Sequence, residues 1–285
     1  MTNKTRIKRF FTGLGIMLLV LVIGYLFIRP LHLRWGATTE DVSRPMPGDL
    51  EHIGWTRAIT IEAAPEEIWP WLVQWGQGRG GWYSYDWLEN LLGFDIHTAD
   101  RILPEYQDLK VGDPICMARG FCTSHVTVLE PNQWLSWQAK DDNGTPVWTF
   151  TFGLIPEDDT HTRLIVRESF NNSFVPPAAV FALEIPDVVM ELKALNTVKE
   201  RVEGVESSVF TTPLEIIAWL TALGVGLTAL VLYANRDNGK NLLAVCIASV
   251  LVLLLITFLF LPLWLRFVLD LTLVATFMWV TRRQV

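Results

Sequence analysis

The residues best suited to chemistry crowd into one short stretch, Gln74 to Arg101. Asp86, Glu89, Asn90, His97, Asp100 and Arg101 alternate there with Trp75, Trp82, Tyr83, Tyr85 and Trp87. His97, close to the Asp100 carboxylate, is a candidate general base; its alternative is a loop histidine that organises hydrogen bonds. Tyr83 and Tyr85 either donate hydrogen bonds to a ligand carbonyl or cap a helix junction. Asp86 suits the start of a helix through the dipole alone. Gly76, Gly78, Gly80 and Gly81 provide a crossing where the backbone can take positive φ. Large rings with polar tips suit the mouth of an apolar cavity, one end dry and the other wet. The stretch is therefore the candidate ligand-facing segment, with Trp82, Tyr83 and Tyr85 expected at the cavity mouth.

Other chemistries find no footing. Gly76, Gly78 and Gly81 match G-x-G-x-x-G. That motif binds a pyrophosphate only after a strand and before a helix. Here the preceding run, Pro65 to Trp75, has helical periodicity, so a dinucleotide site is rejected. G-x-S-x-G, H-E-x-x-H, S-x-x-K and Walker patterns are missing. No cofactor is implied. The three cysteines have no CxxC spacing and no second cluster to complete a zinc site, so no metal is expected. Cys116 and Cys122 flank a turn-like Met-Ala-Arg-Gly-Phe. Two separate buried thiols are the alternative; an oxidising compartment and the hairpin spacing make a Cys116–Cys122 disulfide the prediction.

Elements must position these residues, and the ends of the chain supply the first constraint. Of 285 residues 51% are hydrophobic, an excess concentrated at the two ends. An uncharged apolar run at 11–28 and further apolar runs at 214–233, 242–261 and 263–280 each approach the ~20 residues that cross a bilayer. Charge is segregated too. Residues 35–213 hold 12 lysines and arginines against 27 aspartates and glutamates; the rest holds 11 against 3. An acidic domain without a basic stripe is a poor nucleic-acid binder. Basic residues flank the first run at Lys4, Arg6, Lys8 and Arg9, and occupy the 234–241 loop and the 281–285 tail. The positive-inside rule puts residues 1–10, that loop and that tail in the cytoplasm, and the acidic domain outside. No small-x-small cleavage site follows the first run, so it is expected to remain as an anchor. Arg266 and Asp270, four apart on one helical face, are expected to pair.

Between anchor and domain, residues 29–55 form a connector, irregular from Trp35 and punctuated by Pro45, Pro47 and Gly48. Arg57 to Ala63 alternates as a strand with Ile59 and Ile61 inward. Pro65-Glu66-Glu67 opens a helix, with Pro70 expected to kink it. A short helix from Ser84 to Leu92 ends at Gly93. Period-two strands are predicted at 113–119, 121–129, 133–139, 147–154 and 162–170, with one apolar and one wet face. Trp148, Phe150, Phe152 and Leu154 share one face; so do Leu164, Val166, Glu168 and Phe170 in the last strand. After Pro176-Pro177 comes a long helical stretch, its best part from Pro186 to about Val205, with Val189, Leu192, Leu195 and Val198 on one side. Gly204 and Ser207-Ser208 close it, and 208–213 link it to the membrane.

This order resembles the helix-grip fold of the START and birch-pollen-allergen-like superfamily, SRPBCC, and its bacterial polyketide cyclase/dehydrase-like members. The residues that carry the resemblance are Ala58 to Gln74 and Gly76 to Asp100, within a domain spanning about 56–207. The Gly-Arg-Gly-Gly-Trp-Tyr-Ser-Tyr-Asp-Trp-Leu-Glu-Asn block looks characteristic of a membrane-anchored subgroup. The resemblance implies an α+β fold, a curved antiparallel sheet around a long C-terminal helix, with one N-terminal and about three C-terminal transmembrane helices. It also implies an apolar cavity lined by Trp148, Phe150, Phe152, Leu164 and Val166. The alternative for each is plain core packing. Glu168, an acid on that face, is either a rim residue paired with Arg163, Arg167 or Arg101, or a polar anchor or proton acceptor in the cavity.

Two functions remain open, since a fold hosts many activities. One is a membrane-anchored extracytoplasmic carrier or sensor of a hydrophobic small molecule or lipid. The other is a cyclase or dehydratase-like enzyme acting on a polyketide-like substrate. Catalytic candidates are His97, Tyr85 and Glu168. Ligand-binding candidates are Trp75, Trp82, Tyr83, Tyr85, Trp87, His97, Arg101, Trp148, Phe150, Phe152 and Glu168.

Overall fold

The structure, a computed structural model, describes residues 2–205, 208–236 and 239–283. Ser207, residues 237–238 of the predicted loop and 284–285 of the predicted tail lie outside them. Two compact units emerge.

One unit combines the chain up to Leu31 with the segment from Ser208 onward. It holds four helices long and apolar enough to span a membrane: α1 (Asn3–His32) and, further along the chain, three helices at Thr211–Asn235, Lys240–Phe258 and Leu263–Arg282. Pairing here differs from the expectation. Arg266 Nη1 lies 3.8 Å from Glu215 and its Nε donates to the Leu261 carbonyl at 2.7 Å. Asp270 is buried without a hydrogen-bond partner among the described residues. Glu215, second to start its apolar run, is the nearer acid that the i,i+4 argument passed over.

The other unit, His32–Ser207, is α+β. After α2 (Thr39–Ser43) come β1 (His52–Ile61), α3 (Pro65–Val73), α4 (Asp86–Leu91), β2 (Pro114–Ile115), β3 (Ser124–Glu130), β4 (Trp134–Lys140), β5 (Pro146–Pro156), β6 (Thr162–Phe170) and α5 (Pro177–Val202). The six strands form one antiparallel sheet in the order β1-β6-β5-β4-β3-β2. The predicted 113–119 strand is reduced to two residues, because the chain turns into a tight 116–122 hairpin. The long helix starts at Pro177, where the helical stretch was expected, and runs through Pro186 to Val202. Its buried stripe uses Val188, not Val189, with Leu192, Leu195 and Val198.

Alternation sets the two sheet faces. On one, Phe150, Phe152, Leu154, Leu164 and Val166 pack with Leu135 and Trp137 of β4 against Leu195 and Val198 of α5. Only part of that face is filled, and the remainder borders a cavity. The other face is polar, as predicted, but it is not wet. Thr56, Ser136, Thr149, Thr151, Arg167 and Ser169 are buried there. The stretch predicted as an irregular connector covers them. Arg167 donates to the Asp41 and Arg44 carbonyls at 2.7 Å and pairs with Asp49 at 2.8 Å. Arg163 pairs with Asp41 at 2.8 Å, and the Thr151 hydroxyl donates to the Pro47 carbonyl. Thr38 caps α2 by accepting from the Asp41 N–H. Side chains that satisfy a strap's backbone let a polar face be buried at little cost.

Candidate functional site

The 74–101 stretch folds back on itself at the end of α3. Gly76 and Gly81 form a bridge, each N–H donating to the other's carbonyl at 3.0 Å. Gly76 takes φ +121° and Gly81 φ +79°. A Cβ on Gly81 would stand 2.7 Å from Thr98 Cα and 2.8 Å from the His97 carbonyl oxygen, so only glycine lets this arm pack against the 97–98 backbone. The crossing delivers Trp75 and Trp82 edge-to-face, with ring centroids 6.0 Å apart.

Those two indoles wall one end of a cavity of about 560 Å³. Ser84 and Glu89 extend that end. Trp148, Phe150 and Glu168 form the sheet wall, and Leu183, Asp187, Met190, Glu191 and Ala194 of α5 the opposite one. The rim comes from Phe94 and from Met117, Ala118 and Phe121 of the 116–122 hairpin. Cys116 and Cys122 are joined by a disulfide that closes this hairpin, with Cα atoms 3.9 Å apart. An adjoining lobe of about 450 Å³ shares Trp148, Glu168, Asp187 and Met190 and reaches Trp55 and Phe170. Both volumes fall in the range of small-molecule sites.

The charged groups of the walls are carboxyls. Glu168, Asp187 and Glu191 each bring an oxygen within 4.8 Å of the others. Trp148 Nε1 donates to Glu168 Oε2 at 2.5 Å, and Trp55 Nε1 to Glu191 Oε2 at 3.3 Å. Behind them lies Arg57, fully buried on β1. Its Nη1 bonds Asp187 Oδ2 at 2.6 Å and sits 3.0 Å from Glu191 Oε1; its Nε donates to the His32 carbonyl at 2.9 Å. Burial, reinforced by Asp187 and Glu191, holds Glu168 well above the usual carboxylate range. Burial also raises Glu191 to about 7, although Arg57 opposes the shift. Burial alone would lower the Arg57 pKa, but Glu191 and Asp187 keep it above its ordinary value. Three carboxyls this close have the spacing of a cation site, yet Arg57 already engages two of them, so the donor set fits a metal ion poorly.

A second acid stands at the tryptophan end. Glu89 is 2% exposed. Its Oε1 accepts from the Ser84 hydroxyl at 2.6 Å, while Oε2 has no partner among the described residues. Burial, with the Asp86 charge adding to it, lifts Glu89 to about 7.

Of the predicted site residues, Trp75, Trp82, Trp148, Phe150 and Glu168 line the cavity. The others stand elsewhere. Tyr83 is fully buried at φ +55°, its hydroxyl donating to the Trp71 carbonyl and accepting from Gln74, and burial raises it to about 12. Tyr85 is buried beside Trp87 and Lys193, and Phe152 is packed in the core. So of the three rings expected at the mouth, only Trp82 is a wall residue. Trp87 is 41% exposed. The His97 side chain is 81% exposed and pairs with Asp95, not Asp100; the Arg101 side chain is 76% exposed. Neither faces the cavity. The partners expected for Glu168 also miss it: Arg163 and Arg167 point to the opposite sheet face.

Arg57, Asp187 and Glu191 are what sequence reasoning passed over, and Glu89, noted in the 74–101 stretch, was not singled out as a site residue. A signal existed for Arg57, which shares strand parity with the inward Ile59 and Ile61. Glu191 interrupts the apolar stripe between Val188 and Leu192, four residues after Asp187.

No protein-family model matches the chain, and no curated protein does. Solved structures resemble part of it. A Mesorhizobium loti protein is 16% identical, matched over 53% of this chain and 99% of its own, with a TM-score of 0.31. A conserved protein of unknown function from Enterococcus faecalis is 15% identical over 64% and 86%, TM-score 0.31. The Aha1 dimer from Colwellia psychrerythraea is 18% identical over 53% and 97%, TM-score 0.30.

Proposed function

We propose that this chain is a membrane-anchored protein of the helix-grip, SRPBCC type whose extracytoplasmic unit binds a hydrophobic small molecule or lipid, as a carrier or sensor. One observation carries the reading: a cavity of about 560 Å³, walled by rings and aliphatic side chains, lies between the sheet and α5. A core packed only for stability closes such space, because each void costs contacts. The element order supports the fold assignment, and four apolar helices support the membrane anchor. The basic flanks favour the outside location. Labelling of an Asp142→Cys variant by an impermeant reagent in intact cells tests that location; labelling confined to the cytoplasmic side contradicts it.

Gentle extraction followed by mass spectrometry of released small molecules tests the binding reading. A near-stoichiometric apolar molecule supports it. A preparation free of any such molecule, and indifferent to added apolar probes, overturns it.

A second reading, acid–base catalysis of the cyclase or dehydratase kind, is favoured by Glu168 alone. Its carboxyl sits in the cavity wall, its hold on a proton strengthened by burial, with the Asp187 carboxyl within 4.8 Å, so a proton can pass between neighbouring groups there. Conversion of a polyketide-like substrate that Glu168→Gln abolishes would favour this reading; His97 and Tyr85, outside the wall, are no longer its candidates.

A further inference from the structure

We infer that the molecule held in this cavity is a small lipophilic amine, bound through its ammonium to the carboxyl groups of the wall. The inference rests on the binding reading above and adds the ligand's chemical class. Its first support is the sign of the lining. Glu89, Glu168, Asp187 and Glu191 face the cavity and its adjoining lobe, and no lysine, arginine or histidine among the described residues does. Arg57 stands behind and brings one positive charge to three carboxyls. A fatty-acid carboxylate or a phosphate would meet no cation in this lining, and an anion at low dielectric needs one.

The second support is independent of that cluster. Glu89, at the tryptophan end, is only 2% exposed, and its Oε2 accepts no hydrogen bond among the described residues. A buried acceptor left empty is costly, and a donor supplied by the ligand relieves it. An ammonium offers three donors. The rings around it fit the same guest, because aromatic faces attract a desolvated cation. Trp75 and Trp82 each also keep an indole N–H without an acceptor among the described residues, which an ether or hydroxyl oxygen on the ligand would fill. The volume limits the guest to small-molecule size.

Three probes with one ring system separate the possibilities: 1-naphthylmethylamine, 1-naphthalenemethanol and 1-naphthoate, titrated into the full-length protein in detergent with tryptophan fluorescence as the readout. The amine should bind at least tenfold more tightly than the alcohol or the acid. Glu89→Gln and Glu168→Gln, which keep side-chain shape, should each cut that preference severalfold while alcohol binding stays. Equal or tighter binding of the alcohol or the naphthoate overturns the amine assignment and leaves the cavity reading standing. Binding of none of the three overturns both. An amine preference unchanged in both variants overturns the role of the carboxyls.

Discussion

The Trp148 indole N–H donates to Glu168 Oε2 across 2.5 Å, from β5 to β6. Glu168 lies opposite Phe150 in the register, so Trp148 is its diagonal neighbour. The bond fixes an acid inside a wall of rings and works against the burial that raises its pKa. Trp148→Phe keeps the ring and removes the donor. The protonated carboxyl of Glu168 should then persist to higher pH, read as its infrared carbonyl band. A band lost at lower pH than in the parent would contradict this arrangement.

Arg57 neutralises buried carboxylates from behind the cavity. Arg57→Met strands Asp187 and Glu191 and should destabilise the unit by about 3–5 kcal/mol, the usual cost of breaking a buried pair. Arg57→Met combined with Glu191→Met should recover much of that loss. Thermal unfolding of the two variants decides it: a single variant as stable as the parent would mean that Arg57 bears no such charge balance.

The pH dependence has a definite sign. Glu89 and Glu191 are raised from 4.5 to about 7. The folded state therefore binds more protons than the unfolded chain between those values. Their contribution is fully present below about pH 4.5 and is lost as pH rises through about 7. Glu89→Gln removes one such group, so its melting temperature should fall less than the parent's between about pH 5 and about pH 8. An identical fall in both proteins would rule out the raised value for Glu89.

Two glycines of the same loop should respond differently. Gly78 has φ +72° and open space where a methyl group would project, whereas Gly81 has φ +79° and backbone atoms within 3 Å of that position. Gly78→Ala should cost about 1 kcal/mol from the left-handed backbone alone. Gly81→Ala should cost several times more and loosen probe binding, because it pushes the arm that carries Trp82 off the 97–98 backbone. Comparable unfolding temperatures for the two variants would refute the close approach.

Much of the sheet was legible because alternation is a local signal. Thr162 to Phe170 has the predicted bounds, and the faces of β5 follow from residue parity. The turn-like segment between Cys116 and Cys122 was legible too, and the disulfide predicted across it is present. The site was only half legible, for a physical reason. Density of polar residues in sequence does not give direction, so His97 and Arg101 looked equivalent to Glu89, yet their side chains turn to solvent. Arg57, Asp187 and Glu191 come from a strand and a helix some 130 residues apart, and only tertiary packing joins them. The covering of the polar face by residues 33–50 is long-range in the same way.

The central claim, that the space between the sheet and α5 is a binding site, is tested most directly by occupancy. Met190 lines both lobes and is only part-buried, so Met190→Trp fills the space from a position that tolerates size. The parent protein and this variant are extracted side by side, and the apolar small molecules released from each are weighed by mass spectrometry. The account predicts one near-stoichiometric species in the parent that is reduced at least tenfold in the variant at unchanged unfolding temperature. Equal amounts from both proteins would contradict it.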